Sequence, residues 1–409
     1  MTADVRLRRG RGALGFSFFV QGVAFALLVT RIPAIQDRYG ISDALLPVFL
    51  AAVPILAGVS SVATEHLVKR VAPGTVLRWA QPLVLLALLG VGAGSEMWHV
   101  ALSLGAFGLF VGALDASMNM LGVSLLGAYG RSIMLGFHAS YSLGGILGAS
   151  AAWAGAHWHL SLFGSYLPAV VVLLPLALLA SRFYVDQDGK AAGAGTAKGL
   201  GPGGFKLLLP LCLVMACAYI GDSTVSNWSA KYLQDVLGSS EQAATVPYNV
   251  YMVTTLLGRA VGDLGVRRFG AVAVVRIGTV VAAGGFAVVA AAPGVGVGML
   301  GFTLLGFGLS VIVPQTFAAA GRLFPDSSDT AIARLNIFNY VGFLIGAPLV
   351  GGIGDAWNYR GAMLVPMVLV LVTLFYARSF GTEPARYGVR HERRTGDRAV
   401  DVGRGGNEV

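Results

Sequence analysis

The sequence predicts an all-α membrane protein, twelve transmembrane helices in two pseudo-symmetric six-helix bundles. Three observations predict it. Of its 409 residues, 56% are hydrophobic and only 12% are charged, against about 25% charged in a typical soluble domain. Apolar runs recur from end to end, each long enough to cross about 30 Å of hydrocarbon. The two halves of the chain also repeat one another at a near-constant offset. The net charge of +9 would suit a nucleic-acid binder, but the basic residues are placed as a membrane topology places them.

Charged breaks bound the elements in order. The first span, 12–34, follows a basic stretch and could pass for a signal peptide. Its apolar part is long and no small-residue cleavage site follows, so it reads as an uncleaved helix. Spans at 44–67, 76–95, 98–127, 131–155 and 160–182 complete the first half. The second half gives 205–232, 243–265, 271–292, 295–320, 331–353 and 360–379. The domains are therefore an N-terminal bundle at 1–184, a linker at 185–204, a C-terminal bundle at 205–380 and a tail at 381–409. The linker, rich in Gly, Ala, Lys and Pro, is expected to be flexible and cytoplasmic. The arginine-rich tail is expected to be disordered and cytoplasmic. Cys212 and Cys217 share one span and read as small apolar helix residues.

With the N-terminus in the cytoplasm, every one of the 29 Lys and Arg residues except Arg31, Arg38, Lys231 and Arg360 falls on the inner side. That is a positive-inside pattern, and it puts both termini in the cytoplasm of a multi-pass plasma-membrane (cell inner membrane) protein. A shift of 198 lays Glu65 and the residues after it on Asp263 and its successors. The same shift lays Gly144 and Gly148 on Gly342 and Gly346, and His138 on Asn336. A shift of 200 lays Asp115 on Gln315. The orientation is the same each time, which points to a parallel duplication of six spans.

Ionisable groups within the bilayer are costly and usually face a cavity. Asp115 lies about 20 Å from its span's cytoplasmic end, near the midplane. Asn119 is one turn away on the same face. His138 enters the next, antiparallel span at the level of Asn119. These residues form a candidate proton-titrating or substrate-binding cluster; the alternative is an interhelical hydrogen bond that only packs the bundle. Asp222 opens the polar run GDSTVSNW, read either as an unwound, cavity-lining segment or as an early helix end. Proton coupling is assigned to Asp115, His138 and Asp222. Substrate binding is assigned to Asn119, Tyr141, Asn227, Gln315, Asn336 and Asn339, with Tyr340 a further candidate. Arg31 either snorkels to the interface or pairs with Asp222. The Gly144–Gly148, Gly258–Gly262 and Gly342–Gly346 pairs are small-residue faces for close helix packing. Arg259, Asp263, Arg267 and Arg268, with Glu65 and Arg70 in the first half, are candidates for a charge latch that holds one conformation and releases another.

Twelve spans in two parallel halves, with the pattern GRxxGDxxxxRFG after span 8, resemble the major facilitator superfamily. The resemblance covers about residues 12 to 380. The first-half copy is degenerate, with Glu65 and Ala72 where the pattern has an acid of the other length and a glycine. The stretch Leu114-Asp115-Ala116-Ser117-Met118-Asn119 is similar to the fourth helix of the fucose-permease-like bacterial subgroup. The resemblance implies a role for Asp115 in proton coupling and sugar binding. In the first helix Val29 stands where those symporters carry a second acid.

The function expected is secondary active transport of a small organic molecule by alternating access, coupled to protons as symport. One alternative is proton-antiport export of a hydrophobic drug or metabolite, and another is a membrane sensor without transport. An enzyme is not expected, and no P-loop is present. No cofactor, metal or nucleic acid is expected. The partners expected are the substrate, protons and the lipid bilayer, with the protein a monomer.

Overall fold

The computed structural model describes residues 5–42, 45–186, 200–240 and 246–381. Most of the expected linker and nearly all of the expected tail lie outside the described residues. The chain forms helices α1 (Val5–Val29), α2 (Leu46–Leu67), α3 (Pro73–Ala93), α4 (Met97–Tyr129), α5 (Met134–His157) and α6 (Leu162–Ala180) in its first half. The second half forms α7 (Gly201–Lys231), α8 (Val246–Phe269), α9 (Ala271–Ala291), α10 (Val295–Leu309 and Ile312–Leu323), α11 (Ser328–Ala356) and α12 (Tyr359–Ala362 and Leu364–Tyr376). Among the described residues nine helices are long and apolar enough to cross a membrane, counting α10 and α12 each as one. The remaining three, α2, α5 and α8, lie at the seam between the halves, where one face meets protein instead of lipid.

Prolines account for the breaks. Span 1 was expected to reach residue 34, but α1 stops at Val29 and a short helix, Ile32–Tyr39, follows. Pro33 has no N–H to donate to the Val29 carbonyl, which removes one helical bond where the first helix ends. Pro314 and Pro366 sit just past the interruptions of α10 and α12 and remove the bonds to Ser310 and Ala362 in the same way. Helix α4 is the longest, at 33 residues, and Gly130 in the left-handed region ends it. The polar run of α7 is regular helix, not an unwound segment. Its side chains fold back on their own carbonyls, Thr224 on Ile220 at 2.7 Å and Ser226 on Asp222 at 2.9 Å.

The packing of one half reappears in the other. Helix α1 packs on α5 and α6, α3 on α4 and α6, and α2 on α4; likewise α7 packs on α11 and α12, α9 on α10 and α12, and α8 on α10. Adding six to each number turns the first set into the second. Two contacts, α2 with α11 and α5 with α8, join the halves and exchange under the same operation. Glycines permit the closest pairs. A Cβ at Gly144 would collide with the Phe19 carbonyl oxygen, and one at Gly342 with that of Ala216. The offset of 198 relates these two positions, so the duplication preserves a backbone-to-backbone contact that any side chain would block.

The edges of the expected linker are ordered. Helix α7 begins at Gly201. Before the linker, Asp186 accepts from Gly74 N at 2.9 Å at the start of α3. Burial pushes its carboxyl above the ordinary aspartate range, against the pull of the Gly74 N–H and Arg78.

Candidate functional site

Asp115 lies halfway along α4, partly exposed. Its carboxylate accepts from Gln21 of α1 at 3.4 Å and from Asn119, one turn on, at 3.3 Å. From the other half it accepts from Tyr340 at 3.0 Å and Asn339 at 3.4 Å, both on α11. The amide of Asn339 also donates to Asn336 at 3.3 Å, and Asn336 donates to Ser61 of α2 at 3.2 Å. One network thus runs from α1 and α4 through α11 to α2. It brings together Asp115, Asn119, Asn336 and Asn339 of the expected set.

Asp222 on α7 belongs to the second half alone, where it accepts a short hydrogen bond from Tyr251 of α8. Tyr251 stacks on Tyr248, with ring centroids 6.3 Å apart. Tyr251 bonds Asp222 and Tyr340 bonds Asp115, so each of the two carboxylates has a tyrosine partner. The Tyr141 carbonyl oxygen lies against Gly22 of α1, in the close α1–α5 contact.

Other expected members stand apart. His138 is buried between Phe18 and Phe317, its ring 5.2 and 6.1 Å from theirs. Its Nε2 has no protein partner, and among the described residues no hydrogen bond joins it to Asp115 or Asn119. The expected shared level does not become a contact because the ring turns into an aromatic sandwich. Gln315 is fully buried, and among the described residues neither of its amide atoms has a partner. Asn227 is exposed and donates back to Ser223 O at 2.8 Å. Arg31 does not pair with Asp222: it is buried and donates to Leu160 O at 3.1 Å in the α5–α6 turn.

The latch candidates cluster where α1 begins, hereafter the basic end. Asp263, at the end of α8, accepts from Ser132 Oγ at 2.6 Å and from Gly136 N at 2.9 Å. Its charge thus sits on the positive end of the α5 dipole. Arg267 donates to Ser132 O at 2.6 Å. One turn deeper, Arg259 donates to Ser142 Oγ at 2.7 Å and to His138 O at 3.4 Å. Across the other seam, Glu65 of α2 pairs with Arg334 of α11 at 3.4 Å. Arg70 and Arg268 are exposed, and Arg268 lies over Phe269 at 5.3 Å. Both belong to the surface of the basic end and not to the cross-half contacts.

The two seams are copies of one another. The offset of 198 carries Glu65 to Asp263, Gly136 to Arg334, Ser61 to Arg259 and His138 to Asn336. Where α5 offers a bare backbone N–H at Gly136, α11 offers a guanidinium, so the acid meets a dipole on one side and a cation on the other. Applying the repeat to the neighbours of Asp263 would have exposed Arg334 and Ser61. Gln21 was legible only as a lone amide in an apolar helix.

The Major Facilitator Superfamily model matches residues 211–402, the half in which the loop pattern is intact. An uncharacterized MFS-type transporter of Yersinia pestis is 28% identical over 364 residues, spanning 89% of this chain and 94% of its own. The MFS transporter FucP in its outward conformation superposes with a TM-score of 0.76 at 16% identity, covering 91% of this chain and 99% of its own. A second FucP structure, described as the E. coli fucose:proton symporter, gives a TM-score of 0.71 at 16% identity, with 91% and 98% covered. The human organic anion transporter MFSD10 matches with a TM-score of 0.76 at 14% identity, with 91% and 99% covered. Two halves repeating one packing scheme, seams that exchange under the repeat and these matches together show that the chain has the fold of the major facilitator superfamily and is similar along most of its length to membrane transporters of that superfamily.

Proposed function

We propose that the chain is a proton-coupled secondary transporter of a small polar organic molecule, working by alternating access about the Asp115 network. The observation that carries this reading is that one mid-helix carboxylate receives hydrogen bonds from both halves. An ionised carboxylate only accepts, whereas a protonated one also donates and accepts more weakly. Gain of a proton at Asp115 therefore loosens its hold on Tyr340 and Asn339 of α11, linking a proton to the separation of the halves. Asp222 is the second acid, and His138 relays protons through the seam. Asn119, Asn336 and Asn339, with Tyr141, supply amide and hydroxyl groups for a solute. The likeness to a fucose:proton symporter supports proton coupling, and the positive-inside pattern supports cytoplasmic termini in a plasma membrane. The basic end is then the cytoplasmic end, and its closed seams correspond to an outward-facing state.

The test begins with a thermal-shift screen of sugars, polyols and organic amines. A hit is then followed in proteoliposomes carrying an internal pH dye. Wild type should acidify or alkalinise the lumen on adding solute, and Asp115→Asn should bind solute without moving protons. Full solute-driven proton movement in Asp115→Asn would refute the reading.

A second reading, export of an amphipathic compound, has its own observation. A side groove of about 280 Å³ between α2 and α11 is lined by Pro54, Val59, Ile337 and Val341, and reaches Tyr340. It offers an apolar route from the flank of the bundle to a partner of Asp115.

A further inference from the structure

A second groove takes no part in that cycle. It opens at the basic end where α1 and α5 diverge and encloses about 500 Å³. Arg8 and Arg11 stand at its mouth, while Gly12, Phe16 and Phe19 line it progressively deeper. These α1 positions fall on one helix face, and the run from Arg8 to Phe19 is about 16 Å long at 1.5 Å per residue. Charge thus lies at the end of the bundle and apolar surface lies toward its middle.

The groove is open and its cations are available. Among the described residues nothing lies within 4 Å of a Cβ placed at Gly12. Arg11 lies over the Tyr129 ring at 5.9 Å, which holds it at the mouth without neutralising it. The nearby carboxylate, Asp263, flanks the same Cβ position of Gly136 as Arg11, at 3.5 and 3.6 Å, and is already engaged by Ser132 and the Gly136 N–H. On the α5 side the groove runs out past Leu143, which is 44% exposed, toward Leu147, which is 49% exposed. A free phosphate would satisfy the arginines and leave these apolar walls unused. Basic pockets between helices at a membrane surface suit lipid headgroups.

We propose that this groove binds an anionic phospholipid, its phosphate between Arg8 and Arg11 and an acyl chain along Gly12, Phe16 and Phe19. The bound lipid would lie beside Gly136, whose N–H holds Asp263.

The test uses the full chain, delipidated and returned to phosphatidylcholine nanodiscs with or without phosphatidylglycerol, with retained lipid counted by native mass spectrometry. Wild type should retain phosphatidylglycerol in preference to phosphatidylcholine, and R8Q/R11Q should weaken that affinity by roughly ten-fold or more, since each surface cation contributes about 1 kcal/mol toward an anionic headgroup. Gly12→Leu keeps both charges but fills the channel, and should lose the lipid while folding normally; it decides the matter if R8Q/R11Q does not fold. Arg9 lies at the same height but over Phe183, at 5.9 Å, so R9Q should retain phosphatidylglycerol. Equal retention by wild type and Gly12→Leu would overturn the proposal. So would an R9Q loss as large as that of R8Q/R11Q, or displacement of the lipid by glycerol 3-phosphate at equal concentration, which would mark a phosphate site.

Discussion

Ionised Asp115 accepts four side-chain hydrogen bonds, two of them from α11. Tyr340 makes the shortest of the four, at 3.0 Å. Tyr340→Phe should therefore retain the fold and shift the pH dependence of transport, because the ionised form loses a donor while the protonated form loses little. The check is a pH profile of solute flux against wild type, and an unchanged profile would remove Tyr340 from the coupling. At the basic end, Asp263→Asn removes a charge held by Ser132 and by the α5 N-terminus. A charge-assisted bond of this kind is worth about 1.5–3 kcal/mol, so a cysteine at exposed Ala128 should react with a bulky maleimide several-fold faster in that variant. Single residues differ in how plainly the sequence announces them. Asp115 was legible because a carboxylate in an apolar helix demands a reason. Arg334 was not, because its acid lies 269 residues away in the chain and its own position looks like ordinary positive-inside charge. The reverse failure was His138: its polarity was plain, but its burial between Phe18 and Phe317 depends on two other helices.

At the scale of elements, hydropathy located the spans well and their interruptions poorly. Length and apolarity are properties of one segment, whereas the short helix after α1 is set by Pro33 and by Tyr39 donating to Val91 O at 2.6 Å in α3. The GDSTVSNW run illustrates the same limit. Its polarity suggested unwinding, yet Thr224 and Ser226 bond carbonyls one turn back, Ser223 bonds Phe343 O of α11, and the helix continues. Glycine spacing was more informative, since it marked the α1–α5 and α7–α11 contacts. Gly144→Val should destabilise the protein by about 1–3 kcal/mol or more through overpacking, read as a fall in thermal unfolding temperature in detergent. Gly127→Val, at a position with open space within 4 Å, should change it little. Equal effects would mean that the α1–α5 contact is not as close as described.

For the whole molecule, the duplication is the feature from which most else follows. It was visible in a near-constant offset before any helix was placed, and the packing pairs obey it. What it could not show is how the copies diverged: one seam closes on a helix dipole and the other on the Glu65–Arg334 pair. If the seams act together, E65Q and Asp263→Asn should favour opening of the basic end more than either alone. Maleimide reactivity at Ala128→Cys in all four combinations would show this, and a double variant no more reactive than Asp263→Asn would assign the closure to one seam. The pairs that join the halves also place Asp115 where it reports on their separation. The most direct test needs no substrate. Spin labels at Ala128→Cys and Asp326→Cys, exposed positions on opposite halves at the basic end, report the distance across it by pulsed electron resonance. On acidification the wild-type distribution should move from short to long distances as Asp115 gains a proton, and Asp115→Asn should show one distribution at every pH. A wild-type distribution that ignores pH, or an Asp115→Asn protein that follows it as the wild type does, would contradict the account.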